Sequence, residues 1–276
     1  MEEMEQIPEP CCCFDASRYT GTPDASHIPD PVDVPKVLAG LDALNSSGKE
    51  AEGERYLEQA LADARARGDW RAELSFLSEL LGQYRRSGER SRGIRTVNEA
   101  MELIREHRLG QTVSGATILL NAATTMKCFG LAEASLPVFR HVARVYAGRL
   151  DPSDYRFAGL YNNMALSYED AGDLPAAEQH FRLALGVLEK CPGNENDIAV
   201  TWCNLAELYD RSDHEDARID ECMENAWQAL SAPSLPHDGY HAFTISKCAP
   251  AFDTFGYFLY AAELRSRAKE IYEKGT

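Results

Sequence analysis

Residues 161–168 read Y-N-N-M-A-L-S-Y, and residues 202–209 read W-C-N-L-A-E-L-Y. The two octets share an aromatic at each end, an asparagine in third place, a large apolar residue in fourth and an alanine in fifth. Working outward from their final tyrosines, a series of large apolar anchors emerges: Leu44, Tyr84, Met126, Tyr168, Tyr209 and Phe252, spaced by 40, 42, 42, 41 and 43 residues. Four positions after the anchor, most units have glycine (Gly48, Gly88, Gly130, Gly172 and Gly256), and the fifth has Asp213. Glycine there suits a helix end that enters the left-handed backbone region before the chain turns.

Each unit divides into two helical patterns about that turn. In the fourth, Leu160, Tyr161, Met164, Ala165 and Tyr168 follow helical spacing, and Ala177, Phe181, Ala184, Leu185 and Leu188 do so after the turn. Pro175 falls in the first turn of the second helix, where a missing N–H costs little. One such hairpin cannot bury its apolar face alone, whereas a stack can. The spacing therefore predicts an all-α fold, an α-solenoid of about six helix-turn-helix hairpins. The units fall at about 35–68, 69–110, 111–151, 152–193, 194–236 and 237–276. Residues 1–34, with five prolines and no helical period, read as an extended or disordered arm, although Phe14, Tyr19, Ile28 and Val32 offer it apolar anchors. Pro250 predicts a kink or break in the first helix of the last unit.

Tyr161, Met164, Ala165, Tyr168, Ala177 and Phe181 match the tetratricopeptide pattern W-x2-L-G-x2-Y…A-x3-F, and Trp202, Leu205, Ala206 and Tyr209 open the next unit in the same way. The period of about 42 residues exceeds the usual 34. With the string N-N-x-A-x-x-Y, it resembles the tetratricopeptide arrays of kinesin light chains and of bacterial proteins with the same long unit. That resemblance, over roughly residues 35–274, implies a right-handed α-solenoid of TPR-like hairpins and a binding scaffold without chemistry of its own.

The composition points the same way. With 44 acidic and 28 basic residues the formal net charge is −16, which repels nucleic-acid backbones and anionic membranes. No run of eighteen apolar residues predicts a membrane span. The acidic start M-E-E-M-E-Q lacks the basic flank and apolar run of an export signal, so the eight cysteines are expected as reduced thiols in a cytoplasm. Phosphate-binding glycine loops, nucleophile elbows and kinase motifs are missing, so no enzymatic activity and no cofactor are expected. The triplet Cys11–Cys13 has no partner spacing for zinc, and His237 with His241 supplies only two ligands. The acidic turn from Asp210 to Asp216 lacks the spacing of a calcium loop. No metal site is expected.

Superposing the units singles out the position five before each anchor: Ala39, Glu79, Asn121, Asn163, Asn204 and Lys247. In kinesin-light-chain-like arrays this position faces the concave groove, where an amide donates to and accepts from a bound backbone at once. The resemblance thus implies a peptide-binding groove lined by Asn121, Asn163 and Asn204. Asn162 lies beside it, Glu79 and Lys247 at its ends, and Thr125, Ser167, Leu208 and Arg211 further along the same face. Cross-linking between neighbouring repeats is the competing role for these amides. The expected function is a non-catalytic scaffold for a protein or peptide partner. The alternative is a regulatory sensor of a small peptide or metabolite acting through a partner. The C-terminal helix, with Leu264, Ala268, Ile271 and Tyr272 on one face, leaves a monomer or a homodimer through that helix as the expected states.

Overall fold

The computed structural model describes residues 14–212 and 216–274. Cys11–Cys13 and Asp213 lie outside them. The described residues form twelve α-helices in six hairpins and no strand. They divide into two compact units, residues 1–149 and 150–276.

The first unit contains α1 (Val34–Ser46) with α2 (Glu50–Arg67), α3 (Trp70–Ser87) with α4 (Arg90–Glu106), and α5 (Val113–Cys128) with α6 (Ala132–Ala147). Asp33, Asp69 and Thr112 begin α1, α3 and α5 by accepting from backbone N–H groups of the first turn. Gly48, Gly88 and Gly130 turn the hairpins with φ of 67°, 75° and 84°. The apolar stripes meet in a core that includes Phe76, Leu80, Ile94, Ile104, Leu119, Phe139 and Tyr146.

The second unit contains α7 (Arg156–Asp170) with α8 (Leu174–Leu188), α9 (Glu195–Ser212) with α10 (Asp216–Leu230), and α11 (Gly239–Thr254) with α12 (Phe258–Lys274). Phe181, Leu205, Met223, Ile245, Phe252 and Leu264 are fully buried within it. Pro250 does not break its helix: α11 runs through it to Thr254. Pro250 and Ser246 are both exposed, so water can take the carbonyl that proline leaves without a donor. In α12, Leu264, Ala268 and Ile271 turn inward with Ala261, but Tyr272 stays half-exposed. The expected four-residue face is thus mostly used up inside the unit. The apolar side chains left in water are Phe258 and Leu259, at the helix start.

The same side-chain lock joins consecutive hairpins in both units. In the first, the hydroxyl of anchor Tyr84 donates to Glu58 of α2, while Arg92 of α4 lies 4.6 Å over the ring and pairs with Glu58 and Glu54. In the second, Tyr209 donates to Glu178 of α8 at 2.8 Å, and Arg218 of α10 lies 3.6 Å over its ring and pairs with Glu178 at 2.7 Å. Burial alone would raise the Glu178 carboxyl, but hydrogen bonds from Tyr209, Arg182 and Arg218 hold it below the ordinary carboxylate range. Each lock ties three helices through one carboxylate.

Residues 14–33 form a strap on the first unit. It opens with a 3-10 turn, Ala16–Tyr19. Phe14 stacks on Tyr19, and both rings meet His141 of α6. Gly110 lies directly beneath Tyr19: a β-carbon there would sit 2.4 Å from the tyrosine side chain. Asp24 binds His107 through both its backbone N–H and its carboxylate, and the His107 ring stacks on Trp70 at 4.1 Å. Further on, the Ser26 carbonyl accepts from Arg71, Asp30 pairs with Arg67, and the Val32 N–H donates to Asp69. These contacts follow helix ends and second helices, away from Glu79 and Asn121.

Candidate functional site

In the first unit, α3 and α5 place Glu79 and Asn121. The Asn121 amide donates to Ser78 Oγ of α3 at 2.9 Å. Its backbone carbonyl accepts from Arg85 Nη1 at 3.2 Å, and the same nitrogen reaches Thr125 Oγ1 at 2.8 Å. Burial lowers the Arg85 guanidinium below its ordinary range. Partial withdrawal from water, with repulsion from Asp42, raises the Glu79 carboxyl.

In the second unit, Asn204 of α9 donates to Asn162 Oδ1 of α7 at 3.1 Å. Asn163, the register mate of Asn204, instead donates to the Gly159 carbonyl of its own helix at 2.8 Å. Arg211 binds Glu169 at 2.7 Å, across the same pair of helices. Burial, then Glu169, raises the Glu207 carboxyl, with Arg211 opposing. Lys247 extends over the exposed Phe243 ring at 5.5 Å. The amides thus both link neighbouring repeats and reach the surface. Asn121, Asn162, Asn163 and Asn204 are each half-buried. Thr125, Ser167 and Leu208, expected on the same open face, are instead fully buried, because one helical turn brings them onto the packed side.

Three residues of this face were not singled out from the sequence. Tyr155, Asp197 and Tyr240 stand at the starts of the three first helices of the second unit. Their spacings of 42 and 43 place them in one repeat register, a signal the sequence did contain. Tyr240 donates to Asp197 Oδ1 at 2.7 Å, and the Tyr155 hydroxyl lies beside the same carboxylate. His241 is buried, with Nδ1 on Asn196 at 2.8 Å and Nε2 on Arg267 at 3.2 Å, so both ring nitrogens serve packing. Among the described residues no cluster of three His, Cys, Asp or Glu side chains has metal-binding geometry, and no helix is long and apolar enough to cross a membrane.

Stacked helical hairpins with an amide-bearing face define a helical-repeat protein. Residues 156–219 match the tetratricopeptide repeat family model. Those residues, from α7 into α10, are similar to tetratricopeptide repeats, and the described hairpins share the fold of kinesin-light-chain-like repeats. Among solved structures, BtubC (BKLC) from P. vanneervenii aligns over 87% of this chain and 91% of its own, with 18% identity and a TM-score of 0.52. A putative kinesin light chain from Podosopora anserina with nearly identical TPR-like repeats aligns over 73% of this chain and 95% of its own, with 14% identity and a TM-score of 0.51. These likenesses concern the fold. A curated relative, the antiviral innate immune response effector IFIT1 of Macaca fascicularis, is 24% identical over 184 residues, 64% of this chain. The chain spans 37% of that relative's length. Repeats of this family generally mediate protein–protein interaction.

Proposed function

We propose that this protein is a non-catalytic scaffold of the cytoplasm that binds an extended segment of a partner protein along the faces of its first helices. Spare hydrogen-bonding capacity supports the reading. An asparagine amide offers two donors and an acceptor with two lone pairs. Asn204 uses one donor on Asn162, and Asn163 uses one on Gly159. Their carbonyl oxygens accept from no protein group among the described residues, and both side chains reach water. A partner backbone running across α7 and α9 would find a donor and an acceptor at each step. In the first unit the Asn121 amide likewise donates to Ser78 of α3, the helix that also carries Glu79; Arg211 and Lys247 extend the face of the second unit.

A photo-crosslinking residue at position 163 or 204, compared with one at position 140 on α6, tests this in the full chain. The expected result is a protein captured from the two first-helix positions and not from the control. Asn204→Ala should then weaken that protein's affinity about fivefold, the equivalent of about 1 kcal/mol for one hydrogen bond. Equal capture from all three positions, or unchanged affinity, would refute the reading.

A further inference from the structure

Between the starts of α7 and α9 lies a small pocket of about 170 Å³ that the amide face does not explain. Tyr155, Gly159, Asn162, Asn163, Asp197 and Val200 contribute to its lining, and no lysine or arginine does. Small-molecule sites run to roughly 300–1,000 Å³, so this volume suits one side chain. Asp197 is its only carboxylate. The Tyr240 hydroxyl bonds to it and that of Tyr155 lies beside it, orienting the group without cancelling its charge. Among the described residues no cation pairs with Asp197. Arg156, which adjoins Tyr155 in sequence, is turned onto Asp154 through two bonds of 2.9 and 2.7 Å. Tyr155 and Tyr240 are each about half exposed beside the carboxylate, so aromatic surface flanks the charge. At Gly159 the wall is bare backbone: a β-carbon there would meet nothing within 4 Å.

We propose that this pocket receives a basic side chain, arginine in particular, from the partner segment. The inference rests on the interaction reading above and narrows the partner to one with a positive charge. A guanidinium entering the pocket would pair with Asp197 by charge-assisted hydrogen bonds. It would also lie against the tyrosine faces, which attract cations, and the planar fork of arginine suits both contacts better than an ammonium. Asn162 and Asn163 line the same pocket, and a carboxamide oxygen has lone pairs to accept remaining N–H groups. The chain's net charge of −16 favours the encounter.

The test uses the full chain and a fluorescein-labelled peptide, Gly-Arg-Gly-Arg-Gly-Arg-Gly, against the same peptide with citrulline for arginine. Citrulline keeps the shape and loses the charge. Anisotropy in about 0.15 M salt should show the citrulline peptide binding at least about tenfold more weakly, matching the usual strength of a hydrogen bond to a charged group. Asp197→Asn, which preserves the acceptor for Tyr240, should lower arginine-peptide affinity about tenfold. Gly159→Leu, which fills the pocket, should do the same while melting like the parent. Glu263→Gln removes an equal charge from exposed α12 and should change little. Should Gly159→Leu fail to fold, the isosteric Asp197→Asn decides. Equal binding of both peptides, or equal losses in Asp197→Asn and Glu263→Gln, overturns the pocket and reduces the attraction to net charge. A loss in Asn204→Ala with none in Asp197→Asn overturns the pocket but leaves the amide face standing.

Discussion

At Asn204 one N–H of the amide is spent on Asn162, and the rest of the group faces water. The alternatives of groove and cross-link are therefore not exclusive at this residue. His141 is of a different kind: its ring is buried, and Nε2 donates to the Gly110 carbonyl at 2.8 Å. Burial lowers its pKa; the Gly110 bond opposes and Arg144 adds to the shift. The sign follows directly. The folded chain holds His141 neutral, whereas the unfolded chain takes up the proton near pH 6.5. This contribution to stability is complete above that pH and is lost as pH falls below it. His241, lowered by burial and then by Arg267, acts in the same sense. The melting temperature should therefore drop as pH falls from 7.5 to 5.5, and less steeply in His141→Gln; parallel curves would show that His141 does not drive the drop.

At the scale of elements, the turns were the most legible feature. Gly88, Gly130, Gly172 and Gly256 all adopt the positive φ that their register required. The amide connections were less legible. Asn204 bonds to Asn162, not Asn163; Asn121 to Ser78, not Glu79; Arg211 to Glu169, not Asp170. Each reaches one residue before its register mate. That offset comes from how adjacent helices slide along one another during packing, and counting along the chain does not contain it. The strap's anchors, Phe14 and Tyr19 among them, were visible, but their seat was not: Tyr19 is held by Gly110 and His141, both remote in sequence, and no local period announces such contacts. Pro250 was visible, and of the two consequences expected of it the break does not occur, because an exposed helix face tolerates a carbonyl bonded to water. Pro250→Ala should restore the bond to Ser246 and stabilise the protein by up to about 3 kcal/mol. A denaturant midpoint that falls or stays put would mean the proline is compensated elsewhere.

At the scale of the whole molecule, the division into residues 1–149 and 150–276 gives each unit its own core. Repeat arrays gain stability from near neighbours, so damage should stay local. Phe181 is fully buried in the second unit, and Phe181→Ala should cost about 3–5 kcal/mol. Amide hydrogen exchange should accelerate across α7–α12 far more than across α1–α6; equal acceleration would reveal one cooperative body. The recurring Tyr–Glu–Arg lock bears also on how this sequence is free to drift. Glu178 receives Tyr209, Arg182 and Arg218 at once. Losing that carboxylate first would strand two arginines beside each other, whereas losing one arginine first leaves the other to hold it. Neutral paths through sequence space are thus ordered at this seam, with the cations changing before the anion; at the other seam the order reverses, because one cation, Arg92, holds two carboxylates, Glu54 and Glu58.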